Sequence, residues 1–293
     1  MILSTEYILL KNEKTFTLEN ISMYKKGSDN MYNELIKYPR TKHILGSRLQ
    51  VGDDDLKKIP FEQIEGKYVI LEEKMDGANC GISFSKEGEL LLQSRGHFLT
   101  GGHRERHFNL LKTWANRYLD QLLKLLGSRY IMYGEWMYAK HTIYYDKLQH
   151  YFMEFDIYDK ENNVFLSTKQ RQQLLKLYPF IRSVKVLYEG IIENPDTITS
   201  LIGPSAFISD KAPMRLEEYC IKQNLDFDKV RNETDLLGIM EGIYIKVEDE
   251  YTVIERYKYV RNSFKTQVAD SETHWLDRPI IENQLESIAC LFD

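Results

Sequence analysis

Seven stretches of the chain carry the alternation or short apolar run of a half-buried strand and end at turn-forming residues. They are Tyr68 to Lys74, Cys80 to Ser85, Glu89 to Ser94, Tyr130 to Tyr138, Tyr151 to Tyr158, Gly242 to Val247 and Thr252 to Tyr259. The second and third flank Lys86-Glu87-Gly88, which predicts a hairpin. The period changes at Arg104. From there to Leu126 the apolar residues Phe108, Leu111, Ala115, Tyr118, Leu122 and Leu125 recur every third or fourth position, as on one face of a helix, and Gly127 is its natural stop. Shorter helices are predicted over Lys169 to Leu177, capped by a hydroxyl of Ser167-Thr168 and closed before Pro179, and over Arg215 to Gln223. Strand pairs with helices inserted irregularly among them predict an α+β fold with largely antiparallel sheets.

No repeat and no Pro-, Gly- or Ser-rich linker divides the 293 residues, so one continuous body is expected. Hydrophobic residues make up 43% of them, enough for a sizeable core, which excludes disorder as the main state. Cys80, Cys220 and Cys290 are too few and too widely spaced for a disulfide scaffold and fit a reducing compartment. Every apolar run is broken within a few positions by a charged residue, and the start has no basic leader or cleavage site. A cytoplasmic protein without a membrane span is therefore expected. The net charge of -5 is unlike the strongly basic footprint of many nucleic-acid binders, but it sets only the average field and leaves room for a local basic groove.

The chemistry concentrates at Leu71-Glu72-Glu73-Lys74-Met75-Asp76-Gly77-Ala78-Asn79, where a buried-type strand runs into a lysine and an Asp-Gly turn follows at once. A lysine at a strand end is ordinarily a solvated edge residue. This one begins a series. Ser94-Arg95-Gly96 lies 21 residues on, followed by Tyr133-Gly134-Glu135-Trp136, Tyr151-Phe152-Met153-Glu154-Phe155-Asp156, Glu241-Gly242-Ile243-Tyr244-Ile245-Lys246 and Arg256-Tyr257-Lys258. Six ordered segments across about 185 residues resemble the motifs of the covalent nucleotidyltransferases, the superfamily of ATP-dependent RNA and DNA ligases and mRNA capping enzymes, whose signature is Lys-x-Asp-Gly. Asn79 and the gap between Phe155 and Glu241 resemble the RNA ligase 2-like branch of ATP-dependent RNA ligases. Tyr38 to His43 and Gly46-Ser47-Arg48 are similar to the region before the nucleophile in bacterial and phage-type RNA ligases. The last motif departs from the family's Lys-x-Lys: Arg256 keeps the charge but as a planar fork.

The resemblance implies a nucleotidyltransferase (ATP-grasp-like ligase adenylation) fold around a nucleotide cleft over 38–264. Residues 1–37 would be an N-terminal extension packed on it, and 265–293 a short helical tail with no OB barrel. It implies ATP, with AMP carried on Lys74, and Mg²⁺, with Mn²⁺ as an alternative. The substrate implied is RNA or an RNA-containing duplex with 3'-hydroxyl and 5'-phosphate ends, with no obligate protein partner. Catalytic roles fall by this likeness to Lys74, Lys258, Glu241 and Asn79. Nucleotide contacts fall to Glu73, Arg95, Glu135, Lys246 and Lys258, with Phe155 stacking on adenine. Glu241 is implied on the metal side, and Arg48, Asn79 and Arg256 on the substrate. An attacking amine must be neutral, whereas free lysine titrates near ~10.4, so the cations Lys258, Lys246 and Arg95 together with the metal are expected to lower Lys74. A GTP-using capping enzyme, a DNA ligase and a non-catalytic nucleic-acid-binding relative are the rivals.

Two further clusters stand outside the motifs. His97, His103 and His107 lack the ligand set of a zinc site and either join Arg95, Arg104 and Arg106 in a phosphate-facing surface or form an ordinary solvated helix start. Asp53-Asp54-Asp55 reads as a surface turn.

Overall fold

A computed structural model describes residues 34–49, 53, 57–265, 279–287 and 289–292. Its strands are β1 (Lys42–Ile44), β2 (Lys58–Ile59), β3 (Tyr68–Lys74), β4 (Ala78–Phe84), β5 (Leu90–Ser94), β6 (Tyr130–Trp136), β7 (Phe152–Asp159), β8 (Val164–Phe165), β9 (Arg182–Ser183), β10 (Val186–Ile191), β11 (Gly242–Glu248) and β12 (Val253–Val260). The α-helices are α1 (Asn109–Arg117), α2 (Leu119–Leu126), α3 (Thr168–Leu175), α4 (Asp196–Ser200), α5 (Ala212–Lys222) and α6 (Phe227–Asn232). Each of the seven expected strands is present, displaced by at most two residues at an end. One sheet has the order β10-β3-β11-β12-β1-β2; the other runs β5-β4-β6-β7-β8, with β9 also paired to β7. Most pairings are antiparallel; β1–β12, β1–β2 and β7–β9 are parallel. The fold is thus α+β with largely antiparallel sheets.

The alternation in β3, β11 and β12 puts Val69, Leu71, Ile243, Ile245, Val247 and Tyr257 into one apolar cluster. The opposite face carries the polar residues. Register sets them in three cross-strand rows: Lys74, Gly242, Val260; Glu72, Tyr244, Lys258; and Ile70, Lys246, Arg256. Gly242 is required here, because a Cβ at this position would overlap the Tyr259 carbonyl oxygen and approach Val260 Cα to 2.9 Å. A second apolar cluster packs α1 and α2 against the β4–β6–β7 sheet through Leu111, Trp114, Leu122, Met132, Trp136 and Phe152.

The single helix expected from Arg104 to Leu126 is divided. A 3₁₀ turn over His103–Phe108 leads into α1, and Tyr118 leaves helical geometry (φ -104°, ψ 22°) between α1 and α2. Its ring stacks on Phe180 at 4.4 Å, a contact across the fold that the local apolar period does not encode. Gly127 closes α2 at φ 50°, its N–H donating to the Leu123 carbonyl at 2.8 Å. Ser167 caps α3 by accepting from the Gln170 N–H.

Residues 1–33 of the expected extension lie outside the described residues. The expected helical tail is corrected where it is described: 279–287 contains no helix and bridges through Glu282 to Ala139 and through Leu285 to Leu148, because its backbone groups pair with the connector between β6 and β7. Residues 266–278 lie outside the described residues. Among the described residues no helix is long and apolar enough to cross a membrane.

Candidate active site

Between the two sheets lies a cavity of about 370 Å³, within the range of small-molecule sites. Eight residues singled out from the sequence line it: Glu73, Lys74, Asn79, Arg95, Glu135, Phe155, Glu241 and Lys258. They come from both sheets, brought together because β3 and β4 belong to different sheets and are joined by the tight Met75-Asp76-Gly77 turn. Gly77 has no room for a side chain: a Cβ would stand 2.7 Å from Met137 Sδ and 2.8 Å from the Trp136 carbonyl oxygen. The turn is held from the connector between β6 and β7. Asp76 Oδ2 accepts from the N–H groups of Thr142 (2.7 Å) and Ile143 (2.8 Å), and the Asp76 N–H donates to Tyr145 Oη at 3.0 Å.

Lys74 Nζ donates to Glu241 Oε2 at 2.6 Å, and Glu241 is buried. The expected depression of Lys74 is reversed here. Burial favours the neutral amine, but Glu241, Glu135 and Asp76 outweigh it and hold the ammonium above the ordinary lysine value. Burial pushes Glu135 up to about 7 against the pull of Lys74 and Arg95, with Glu241 adding to the rise. Lys258 lies below its ordinary value through burial and the charge of Lys74, although it is bonded to Asp53. Asp53 therefore belongs to the cavity and not to a plain surface turn: it pairs with Lys258 and with His43 Nε2 at 3.0 Å.

Glu73 is buried and accepts from Ser205 Oγ, while its Oε2 has no hydrogen-bond partner among the described residues. Burial raises its pKa. Phe155 lines the cavity with Tyr38 edge-on to it at 5.1 Å. Tyr38, Thr41 and Tyr244 meet through their hydroxyls beside it, the Tyr244 hydroxyl at 2.7 Å from that of Tyr38 and 2.8 Å from that of Thr41. None of the three is given a role by the sequence, although Tyr244 lies within the Glu241 to Lys246 motif and Tyr38 and Thr41 within the stretch upstream of Lys74.

Three expected site residues lie away from the cavity lining. Lys246 is fully buried, 2.9 Å from Glu72 and 3.1 Å from Asp156, and also donates to the Phe155 carbonyl. Arg256 faces Asp156 at 3.4 Å and covers the Phe165 ring at 3.9 Å. Arg48 donates to the Asn262 carbonyl at 2.8 Å. The first two occupy the third cross-strand row, behind the row of Glu72, Tyr244 and Lys258 that borders the cavity.

Beyond Arg95, the loop leading to α1 exposes His97, His103 and Arg104, whereas His107 is buried and lowered to about 4 by burial and its cationic neighbours. The acid of this stretch, Glu105, turns inward to accept from the Thr100 and Gly101 N–H groups and from Lys112. The outward face is consequently basic. The cavity's donor set suits a hard, oxygen-coordinated cation held jointly with phosphate: Glu241 and Glu135 reach the cavity, and no cluster of three metal-ligating side chains occurs among the described residues.

Solved structures similar to this chain include Naegleria gruberi RNA ligase as a glutamate-to-alanine mutant with AMP and Mn, at 15% identity over 78% of this chain and 57% of that chain, TM-score 0.44. A lysine-to-alanine mutant of the same ligase with ATP and Mn matches at 16% identity over 78% of this chain and 62% of that chain, TM-score 0.41. The chain thus spans less than two thirds of the length of these structures. No curated protein sequence matches it. The family model for RNA ligase matches residues 67–266, most of the sequence, and the chain belongs to the RNA ligase family.

Proposed function

We propose that the protein is an ATP-dependent RNA ligase of the RNA ligase 2-like branch, joining 3'-hydroxyl and 5'-phosphate ends through a lysyl-AMP intermediate. The observation that carries this reading is Lys74 inside the cavity, its Nζ 2.6 Å from buried Glu241, with Glu135, Arg95, Phe155 and Lys258 on the same walls. In the first step the Lys74 amine, having lost a proton, attacks the α-phosphorus of ATP; the N–P bond forms and the bond to pyrophosphate breaks. AMP then passes to the 5'-phosphate oxygen of the RNA, freeing Lys74. Finally the 3'-hydroxyl oxygen, giving up its proton, attacks the phosphorus of the RNA's own 5'-phosphate; the new P–O bond completes the phosphodiester and the bond to AMP breaks, so AMP leaves.

Each side chain has a part in this chemistry. Glu241 receives the Lys74 hydrogen bond along the path the proton must leave by. Phe155 offers a flat face to adenine, Glu135 accepts from ribose hydroxyls, and Arg95 and Lys258 bring positive charge to phosphate oxygens. Asn79, the second residue of β4, lies on the cavity wall in register with Glu135, and its amide is the group this reading assigns to the RNA end. Mg²⁺ or Mn²⁺, bound by Glu241 and phosphate oxygens, would supply neutralisation of the triphosphate's charge. The basic face around Arg104 suits the phosphodiester backbone of the RNA.

Incubation with α-labelled ATP and Mg²⁺ tests the reading. Acid-stable label is expected on the parent chain and absent from Lys74→Ala; equal labelling of the two refutes it. Label from GTP instead would make the chain a capping-type enzyme. Equal sealing of 3'-deoxyribose and 3'-ribose nicks would remove the preference for RNA.

A further inference from the structure

The connector from 137 to 151 carries the groups that grip the Lys74 turn, and its own backbone is satisfied largely by the C-terminal segment. Asn283, 1% exposed, is the centre of that contact. Its Nδ2 donates to the Met137 carbonyl at 2.7 Å, and its Oδ1 accepts from the Tyr145 N–H at 2.9 Å. Its main-chain N–H donates to the Tyr138 carbonyl at 2.9 Å, and its carbonyl accepts from Tyr151 Oη at 2.7 Å. On either side, Lys140 N–H donates to the Ile281 carbonyl at 2.7 Å and Gln284 N–H to the Tyr145 carbonyl at 2.8 Å. Tyr145 is therefore a joint. Its backbone is bound by Asn283 and Gln284, and its hydroxyl accepts from the Asp76 N–H, two residues from Lys74. Thr142 and Ile143, three and two residues before it, hold the Asp76 carboxylate.

We propose that Asn283 is a positioning residue for Lys74. Acting through Tyr145, Thr142 and Ile143, it fixes the turn that aims the amine at the α-phosphorus, so a segment beyond all the ligase motifs completes the active site. The inference rests on Lys74 being the nucleophile. An amide is the group this place requires, because it must donate to one carbonyl and accept from one N–H at once. Aspartate in its place would set a carboxylate oxygen against the Met137 carbonyl, and leucine would leave both partners unmatched. Neither change touches Phe155, Glu73 or Lys258, so nucleotide affinity should survive while the geometry of attack does not.

The test uses the full chain with Asn283→Leu, Asn283→Asp and Tyr145→Phe as single changes, and a double variant that combines Asn283→Leu with Tyr145→Phe. Rates of acid-stable labelling at saturating α-labelled ATP are measured beside the affinity for an α,β-methylene ATP analogue and the melting temperature. Misplacement of a reacting group by 1 Å costs on the order of 10²-fold. A ten- to hundredfold slower labelling rate, on the order of that penalty, is expected for either Asn283 variant, with analogue affinity within about twofold of the parent. Because both residues act on the same Asp76 turn, through Tyr145, the double variant should be no more than about twofold slower than the slower single variant. If Asn283→Leu fails to fold, Asn283→Asp and Tyr145→Phe carry the same comparison. Labelling at the parental rate in folded variants, or independent multiplication of the two losses, overturns the inference. A parent chain that takes no label at all overturns the nucleophile assignment and this inference with it.

Discussion

Lys246→Met separates a phosphate-binding lysine from a structural one. In the native chain its ammonium lies 2.9 Å from Glu72 and 3.1 Å from Asp156 with no exposure. Around it Glu72, Glu154 and Asp156 are matched by Lys246, Arg171 and Arg256, so the buried group is formally neutral. Removing one cation leaves a buried carboxylate in excess, which costs about 3–5 kcal/mol. The lower end applies, about 3 kcal/mol, because Glu72 keeps Arg171 at 2.6 Å and Asp156 keeps Arg256 and the Tyr38 hydroxyl. For a body of this size each kcal/mol lowers the melting temperature by about 2–4 °C, so a fall of roughly 6–12 °C is expected. Acidification should shrink the deficit, since the surplus carboxylate can take up a proton. Thermal melts at pH 5 and 8 measure the loss, and titration with an ATP analogue measures affinity, which should change by less than about threefold, or under 1 kcal/mol. A variant that melts within 2 °C of the parent but binds the analogue tenfold more weakly would refute the placement of Lys246 behind the cavity.

Three other substitutions probe the same body. Gly242→Ala forces a methyl into the Tyr259 carbonyl and Val260 Cα, which are backbone and cannot turn aside; a loss of more than about 4 kcal/mol is expected. Gly96→Ala, with nothing within 4 Å of its Cβ, should stay within about 0.5 kcal/mol, and equal melting of the two variants would contradict the packing. Glu135→Gln tests the carboxyl pushed up to about 7 from its ordinary 4.5. Native Glu135 holds its proton more tightly than the unfolded chain does, so its contribution to stability falls as pH rises from about 4.5 to about 7. The variant should match the parent near pH 4 and exceed it by roughly 1–3 kcal/mol at pH 8; denaturant melts across that range would show a constant difference if burial were not the cause.

What the sequence reveals and what it hides follow from the range of the forces involved. Seven of the strands between Tyr68 and Val260 were legible because alternation is local, although β10 (Val186–Ile191) was not among them, and eight cavity residues were legible because their motifs sit on or beside those seven. β1, β2, β8 and β9 span two or three residues each, too short for a period to register. Register is equally invisible. Lys246 and Lys258 look alike along the chain, yet pairing sets Lys258 beside Tyr244 and Lys246 one row further back beside Arg256. Asp53 and Asn283 escape for the same reason, since each meets a decisive partner across more than a hundred residues, Lys258 for the one and Tyr145 for the other.

The charge on Lys74 shows why position along the chain is a poor guide to electrostatics. Cations were expected to depress it, but Lys246 is spent on Glu72 and Asp156, and Lys258 is paired with Asp53. The groups that act most strongly on the amine are instead Glu241, Glu135 and Asp76. Coulomb energy falls with distance, and at an effective dielectric near 20 a contact at about 3 Å is worth roughly 5 kcal/mol before desolvation, so adjacent carboxylates dominate. Lys74 is therefore held as an ammonium by the carboxylates around it. Glu241, which stabilises that charge, is also the group to which its proton is directed, so under the proposed function the contact that restrains the amine is the route by which its proton leaves.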